Sequence, residues 1–199
     1  YFPAGDESLE EGQRKKLRLV AAKLQLQPGQ RILDIGSGWG AMAIYLARLA
    51  EVEVVGVTLS EEQVKVAREK AAEAGVEDRV RFELMDYREL DGRFDRIVSV
   101  GMFEHVGSPG YDEFFPHARR LMGEHGLMIL HSICSAAPPT TASAFYRRYI
   151  FPGGYIPSLS EVFASIERQG LMALDVEILR PHYARTVWHW HGRIQANRK

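Results

Sequence analysis

Five apolar runs of strand length alternate with helical stretches along the chain, and this alternation is the strongest constraint on the fold. Most positions in each run are apolar, as in strands that are covered on both faces. The runs occupy residues 31–35, 52–57, 80–84, 94–100 and 126–131. The helical stretches between them occupy residues 40–49, 61–74 and 111–122. This order predicts an α/β fold: a doubly wound, mostly parallel sheet with helices on both faces, whose ligands bind at the carboxyl ends of the strands.

Further elements are predicted on either side of this alternating region. An amphipathic helix over 8–26 has Ser8 as its cap, with Glu11 three residues later. A second helix is predicted over 158–169 and a sixth strand over 171–179. Because we find no internal repeat and no boundary signal, we expect a single domain over 1–199. The chain has no starting methionine, so we expect it to be part of a longer protein.

Composition limits the partners and the compartment. The formal net charge is −1, which does not indicate nucleic acid as a partner. Cys134 is the only cysteine, so an intrachain disulfide and a multi-thiolate metal site are excluded, and we expect no metal. No apolar run approaches the roughly 20 residues of a membrane-spanning helix. These observations favour a cytoplasmic protein without a transmembrane segment.

A glycine-rich segment directly follows the first predicted strand and opens a helix. Asp34 ends the strand, and Gly36, Gly38 and Gly40 follow at alternate positions. Glycines there allow backbone conformations closed to other residues and let a ligand approach the main chain. The spacing of Gly36, Gly38 and Ala41 also fits a dinucleotide-binding fingerprint. A tight turn without any ligand is a third interpretation.

Acidic residues favour S-adenosyl-L-methionine (SAM) over a nicotinamide dinucleotide. Asp34 is placed to hold the ammonium group of the methionine moiety, whereas a dinucleotide site needs an acid at the end of the second strand. That position has no carboxylate, since residues 57–60 read Val-Thr-Leu-Ser. Asp86, at the end of the third strand, is a candidate for recognising the adenine amino group; capping the next segment is its alternative role.

The chain closely resembles the cyclopropane-fatty-acyl-phospholipid synthase family, which includes the mycolic acid cyclopropane synthases. The segments that carry the resemblance lie in the family's order along almost the whole chain. They are LDIGSGWG (33–40), GVTLSEEQ (56–63), DYREL (86–90), FDRIVSVGMFEHVG (94–107), LMILHSI (127–133), YIFPGGYIPS (149–158) and HYART (182–186).

The resemblance implies a Rossmann-like SAM-dependent methyltransferase fold and a defined set of cofactor contacts. Hydroxyl, backbone and amide groups at the end of the second strand would replace the usual carboxylate. The implied cofactor residues after the glycine segment are Thr58, Leu59, Ser60, Gln63, Asp86, Tyr87, Arg88 and His105. Family members continue beyond the HYART segment to a final strand, so we expect that edge strand to be missing here.

The family's reaction transfers the SAM methyl group to a cis alkene in a phospholipid acyl chain. A base then removes a methyl proton from the resulting carbocation, and a cyclopropane ring closes. The resemblance implies a bound bicarbonate as this base, held by Glu104, His131, Tyr183 and the backbone amide near Ile133. The family's cysteine ligand would lie just upstream of Tyr1. Glu104 is either protonated or accepts the bicarbonate hydroxyl while His131 balances the charge.

The implied substrate is an unsaturated phospholipid acyl chain at the membrane surface, which predicts peripheral contact with the inner membrane and allows a homodimer. Tyr149, Phe151 and Tyr155 are candidates for lining an acyl channel, with ordinary core packing as the alternative. We interpret Trp188 and Trp190 as part of a helix with mixed aromatic and polar faces.

Three other functions remain open from the sequence. The first is a SAM-dependent C-methyltransferase that makes methyl-branched lipids or modifies a small unsaturated metabolite. The second is a SAM-binding protein without catalysis. The third and most remote is an NAD-dependent oxidoreductase.

Overall fold

Five of the six predicted strands form one parallel sheet in a computed structural model, which describes residues 1–141, 143–150 and 152–198. The strands are β1 (Arg31–Ile35), β2 (Glu53–Thr58), β3 (Val80–Leu84), β4 (Phe94–Val100) and β5 (Met122–His131). Their order across the sheet is β3-β2-β1-β4-β5, and every neighbouring pair is parallel. The α/β prediction is therefore confirmed.

Six α-helices accompany the strands in the described residues. They are α1 (Leu9–Leu24), α2 (Ala41–Leu49), α3 (Glu61–Glu73), α4 (Tyr111–Leu121), α5 (Leu159–Arg168) and α6 (Arg180–Ala196). The predicted cap of α1 is present, because the Ser8 hydroxyl accepts from the Glu11 N–H while the Glu11 carboxylate accepts from the Ser8 N–H. Trp188 and Trp190 lie in α6, as predicted.

The sheet has a topological switch point between β1 and β4. The chain leaves β1 toward β2 on one side and returns through β4 on the other side of β1. A crevice forms outside the carboxyl ends of strands at such a point, and ligands of open parallel sheets bind there. Asp34 in β1 and the turn after β4 both lie at this end of the sheet.

An aromatic cluster fixes the turn that follows β4. Phe103 is fully buried, stacks on Tyr111 with 4.5 Å between ring centroids, and contacts Phe114 edge-on at 5.1 Å. Fully burying such a side chain stabilises the fold by about 1.5–3 kcal/mol. The position of residues 103–105 is therefore set by core packing against α4.

The chain divides into two compact units. The sheet unit comprises Leu24–Ala173, and the terminal unit comprises Tyr1–Lys23 together with Leu174–Lys199. In the terminal unit the Phe2 N–H donates to His182 Nδ1 at 3.2 Å, and the Tyr1 ring stacks on the His182 ring. Among the described residues, no helix is both long and apolar enough to cross a bilayer.

The predicted strand over 171–179 is wrong. These residues have no strand or helix assignment. The alternate apolar side chains that motivated the prediction are 51–81% exposed; they are Met172, Leu174, Val176 and Ile178. A strand is stabilised by hydrogen bonds to a neighbouring strand, and no described residue pairs with this segment in a sheet.

Candidate cofactor and base site

The glycine segment is anchored to β2 and turns tightly away from β1. The N–H groups of Gly36 and Ser37 both donate to the Val57 carbonyl at 3.0 Å. Gly36 has φ +78°, and a Cβ added there would lie 2.5 Å from the Met102 Cβ. Gly38 has φ +54°, but an added Cβ would meet nothing within 4 Å. Gly36 is thus required by packing, whereas Gly38 leaves open space beside the backbone.

Asp34 lies in β1, just before this segment, and its carboxyl group is only partly hydrogen-bonded. Its side chain is buried, and Oδ2 has no hydrogen-bond partner among the described residues. Burial raises the pKa of Asp34 to about 7, although a hydrogen bond from the Ala43 N–H partly opposes this rise. A buried carboxyl with a free oxygen is suited to a cationic ligand group, because a cation restores the charge balance lost on desolvation.

Replacing Asp34 with asparagine is expected to stabilise the protein at neutral and alkaline pH. The pKa of Asp34 is higher in the folded chain than in the unfolded chain, so the folded state binds more protons and stability falls as pH rises from about 4 to 7. Asp34→Asn removes this penalty, which is about 4 kcal/mol at most above pH 7. Urea unfolding at about pH 5 and pH 8 measures it. A stability gain of equal size at both pH values would contradict the assignment.

The residues after β2 form a helix cap. The Ser60 hydroxyl accepts from the Gln63 N–H at 3.3 Å and so caps α3. The Thr58 hydroxyl donates to Gln63 Oε1 at 2.6 Å. Leu59 between them is 74% exposed. The structure therefore brings all four predicted residues together at the carboxyl end of β2 and orients the Gln63 amide.

Asp86 has the capping role that the sequence offered as its alternative. Its carboxylate accepts from the Arg88 N–H and caps the 3₁₀ turn Tyr87–Glu89. The Arg88 guanidinium also binds both carboxylate oxygens, and it lowers the pKa of Asp86. Tyr87 packs edge-on against Phe114. Any contact of Asp86 with an adenine amino group would therefore share oxygens that already accept from Arg88.

Glu104 is a buried acid in the turn after β4. It is only 1% exposed, and its Oε1 accepts from the Ile133 N–H at 2.7 Å. Its Oε2 has no hydrogen-bond partner among the described residues. Next to it, His105 is exposed, and its backbone N–H donates to the Met102 carbonyl. The backbone amide near Ile133 was predicted to hold bicarbonate, whereas in the structure the Ile133 N–H donates to Glu104.

The other two predicted base-site residues are His131, in the sheet unit, and Tyr183, in the terminal unit. His131 ends β5, opposite Val100 of β4, and its carbonyl accepts from the Gly101 N–H. It therefore lies at the same end of the sheet as the turn that carries Glu104. Tyr183 belongs to α6 in the terminal unit, where it contacts Trp190 edge-on at 6.5 Å.

Sequence reasoning named Tyr155 only as a channel candidate and missed its contact with Glu104. The Tyr155 N–H donates to the Glu104 carbonyl, and the Tyr155 hydroxyl donates to Glu161. Desolvation and the Glu104 charge raise the pKa of Cys134. The only sequence signal was the capping pattern from Ser158 to Glu161. Of the predicted channel residues, Tyr149 is 63% exposed and Phe151 lies outside the described residues.

The sheet order and the loop after β1 define a Rossmann-like nucleotide-binding fold, and comparison with solved structures identifies it as the SAM-dependent methyltransferase fold. Mycolic acid cyclopropane synthase CmaA1 complexed with SAH and CTAB has a TM-score of 0.89 and 35% sequence identity, over 99% of this chain and 74% of that one. The predicted Rossmann-like methyltransferase fold is confirmed.

The chain belongs to the mycolic acid cyclopropane synthetase family, which matches residues 1–199. It is 42% identical over 196 residues to a cyclopropane-fatty-acyl-phospholipid synthase of Escherichia coli K12, covering 98% of this chain. It is 41% identical over 202 residues to a probable fatty acid methyltransferase of Pseudomonas putida, again covering 98%. The chain spans 50% and 51% of the lengths of these two relatives, respectively.

Proposed function

We propose that this chain carries the cofactor and base sites of an enzyme that transfers a methylene carbon from SAM to the cis double bond of a phospholipid acyl chain. The product is a cyclopropane ring. The observation that carries the proposal is Glu104: a buried acid at the carboxyl end of the sheet, with one oxygen fixed by the Ile133 amide and the other without a partner among the described residues.

The groups around the glycine segment suit SAM. Asp34 offers a buried carboxyl oxygen to the ammonium group, and the open space at Gly38 admits a ligand against the backbone. The Gln63 carbonyl oxygen is bound by Thr58, which leaves its amide N–H groups as donors for ribose hydroxyls. When bound, SAM supplies an electrophilic methyl group on a sulfonium. The residues of this chain orient that group and exclude water from it.

The free oxygen of Glu104 suits a ligand that donates a hydroxyl group. Bicarbonate has such a hydroxyl, and it would supply a base for the methyl proton. We assign Glu104 as its hydroxyl acceptor and His131 as the group that balances its charge. The Ile133 amide donates to Glu104, so this contact positions the Glu104 carboxylate and does not bind bicarbonate directly.

The lipid substrate is inferred from the relatives. The Escherichia coli relative is named for the cyclopropane-fatty-acyl-phospholipid reaction, and CmaA1 is described in complex with CTAB, a long-chain surfactant. An acyl chain held in a bilayer would bring the enzyme to a membrane surface.

Incubating the full-length protein with SAM and vesicles of a cis-monounsaturated phospholipid tests the function. We expect mass spectrometry to show a gain of one CH₂ per alkene and chemical analysis to show that the double bond is lost. Vesicles of the matching saturated phospholipid are the control and should gain nothing. SAM binding without any product would contradict the proposal and favour a non-catalytic SAM-binding protein.

A second candidate is a C-methyltransferase that makes methyl-branched lipids, and the name of the Pseudomonas putida relative favours it. The two reactions share methyl transfer to the alkene. In the second, a hydride shifts to the carbocation before a proton is lost, so that loss of a methyl proton gives a methylene branch instead of a ring. The same assay separates them, because a methylene-branched product retains an alkene while gaining the same mass.

A further inference from the structure

A second set of contacts holds the backbone of Glu104. The Tyr155 N–H donates to the Glu104 carbonyl at 2.8 Å. The segment that follows Tyr155 is joined to the residues after β5, because the Ser135 N–H donates to the Pro157 carbonyl at 2.8 Å. The acid is thus held at two points: its carboxylate by residue 133 and its main chain by residue 155.

Tyr155 is itself held through its side chain. Its hydroxyl lies 2.8 and 2.9 Å from the two carboxylate oxygens of Glu161. Glu161 completes a capping box at the start of α5, where its carboxylate accepts from the Ser158 N–H and hydroxyl. Burial raises the pKa of Glu161, but the hydrogen bonds from Ser158 and Tyr155 together outweigh it and hold that pKa below its usual value. Tyr155 therefore links helix α5 to Glu104, since its hydroxyl donates to Glu161 and its N–H donates to the Glu104 carbonyl.

We propose that Tyr155, held by Glu161, is a positioning residue that sets the location of Glu104 in the base site. This role rests on the proposed function. Neither residue is assigned contact with a reacting atom; they act by fixing the backbone from which the carboxylate projects. Catalytic groups need placement within about 0.5 Å, and a shift of about 1 Å can lower a rate by about 100-fold.

Replacing Tyr155 with phenylalanine tests the role, because it removes the hydroxyl and keeps the ring and the N–H group. We expect kcat to fall by about 10-fold, with the KM for SAM and the affinity for SAM unchanged. Glu161→Ala breaks the same contact and also removes the capping contacts with Ser158, so its loss should be at least as large. The double variant should be no slower than Glu161→Ala alone, because the contact between residues 155 and 161 is already broken there. Tyr111→Phe is the matched control: its buried hydroxyl has no hydrogen-bond partner among the described residues.

Cys134 provides a readout that does not depend on turnover. The charge of Glu104 contributes to its raised pKa, so displacement of the carboxylate should lower that pKa. The rate of Cys134 alkylation, followed by peptide mass spectrometry against pH, should shift to lower pH in Tyr155→Phe, as in Glu104→Gln. The Tyr111→Phe profile should follow the wild type.

The outcomes separate this inference from the proposed function. If Glu104→Gln abolishes turnover while Tyr155→Phe leaves kcat and the alkylation profile unchanged, the positioning role is wrong and the base site stands. If Tyr155→Phe slows turnover without moving the alkylation profile, the effect does not pass through Glu104 and the inference is also wrong. If Glu104→Gln retains full turnover, the proposed base site itself fails.

Discussion

Replacing Glu104 with glutamine is expected to lower turnover on an unsaturated phospholipid by about 10²- to 10⁴-fold, the usual contribution of a general base, because the bicarbonate base would lose the acceptor that holds its hydroxyl. The glutamine carbonyl can still accept from the Ile133 N–H, so the turn after β4 should keep its conformation. The second oxygen becomes an NH₂ group, which cannot accept a hydroxyl. The loss should therefore appear in kcat, measured by product formation, while calorimetry shows an unchanged affinity for SAM.

Glu124→Gln is the matched control, because it makes the same chemical change at an exposed position of β5. Its turnover should equal that of the wild type. A loss of SAM affinity in Glu104→Gln as large as the loss in turnover would assign Glu104 to the cofactor site instead.

Alanine at Gly36 and at Gly38 should have clearly different effects. At Gly36 a methyl group meets the Met102 Cβ and Cγ at 2.5 and 2.6 Å, and the backbone has φ +78°. Overpacking and the left-handed conformation together should cost about 3 kcal/mol of folding stability. Met102 directly precedes the turn that carries Glu104, so Gly36→Ala should also lower kcat.

Gly38→Ala carries only the conformational cost of about 1 kcal/mol, because nothing lies within 4 Å of the added methyl group. That methyl group would occupy the space assigned to the ligand, so we expect weaker SAM binding. Urea unfolding and calorimetry on both variants measure the two effects. Equal destabilisation of the two variants, with equal affinity for SAM, would contradict this division of roles.

Local patterns were sufficient to predict most of the sheet. The runs over 31–35, 80–84 and 94–100 have the bounds of β1, β3 and β4, because a buried parallel strand is marked by its own apolar residues. The segment 171–179 has an equally clear alternation, yet it forms no strand. The alternation of apolar and polar residues there indicates a preference for extended backbone. A strand also needs a neighbouring strand to pair with, and a local sequence pattern cannot show whether one is present.

The site was predicted in part through the family resemblance. The resemblance named Ser60 and Gln63 as cofactor residues, and it did not predict the capping contact between them at the start of α3. Asp86 was ambiguous because an acid before a short turn is suited both to capping and to ligand binding, and the structure shows the capping contact. The bond from Tyr155 to Glu104 joins distant segments whose meeting depends on the whole sheet, so only the structure could reveal it.

The two halves of the site differ in how much of the chain must fold before they exist. The cofactor residues from Asp34 to Gln63 lie within a single strand–helix–strand unit and the start of the next helix, and contacts inside this unit close short loops. The base half needs residue 104 to meet residues 133 and 155, which requires β5 and the start of α5 to be in place. Contacts between distant segments form late in folding, because the entropy of loop closure is lost before these contacts form. During refolding from denaturant, we therefore expect SAM binding to return before methylene transfer.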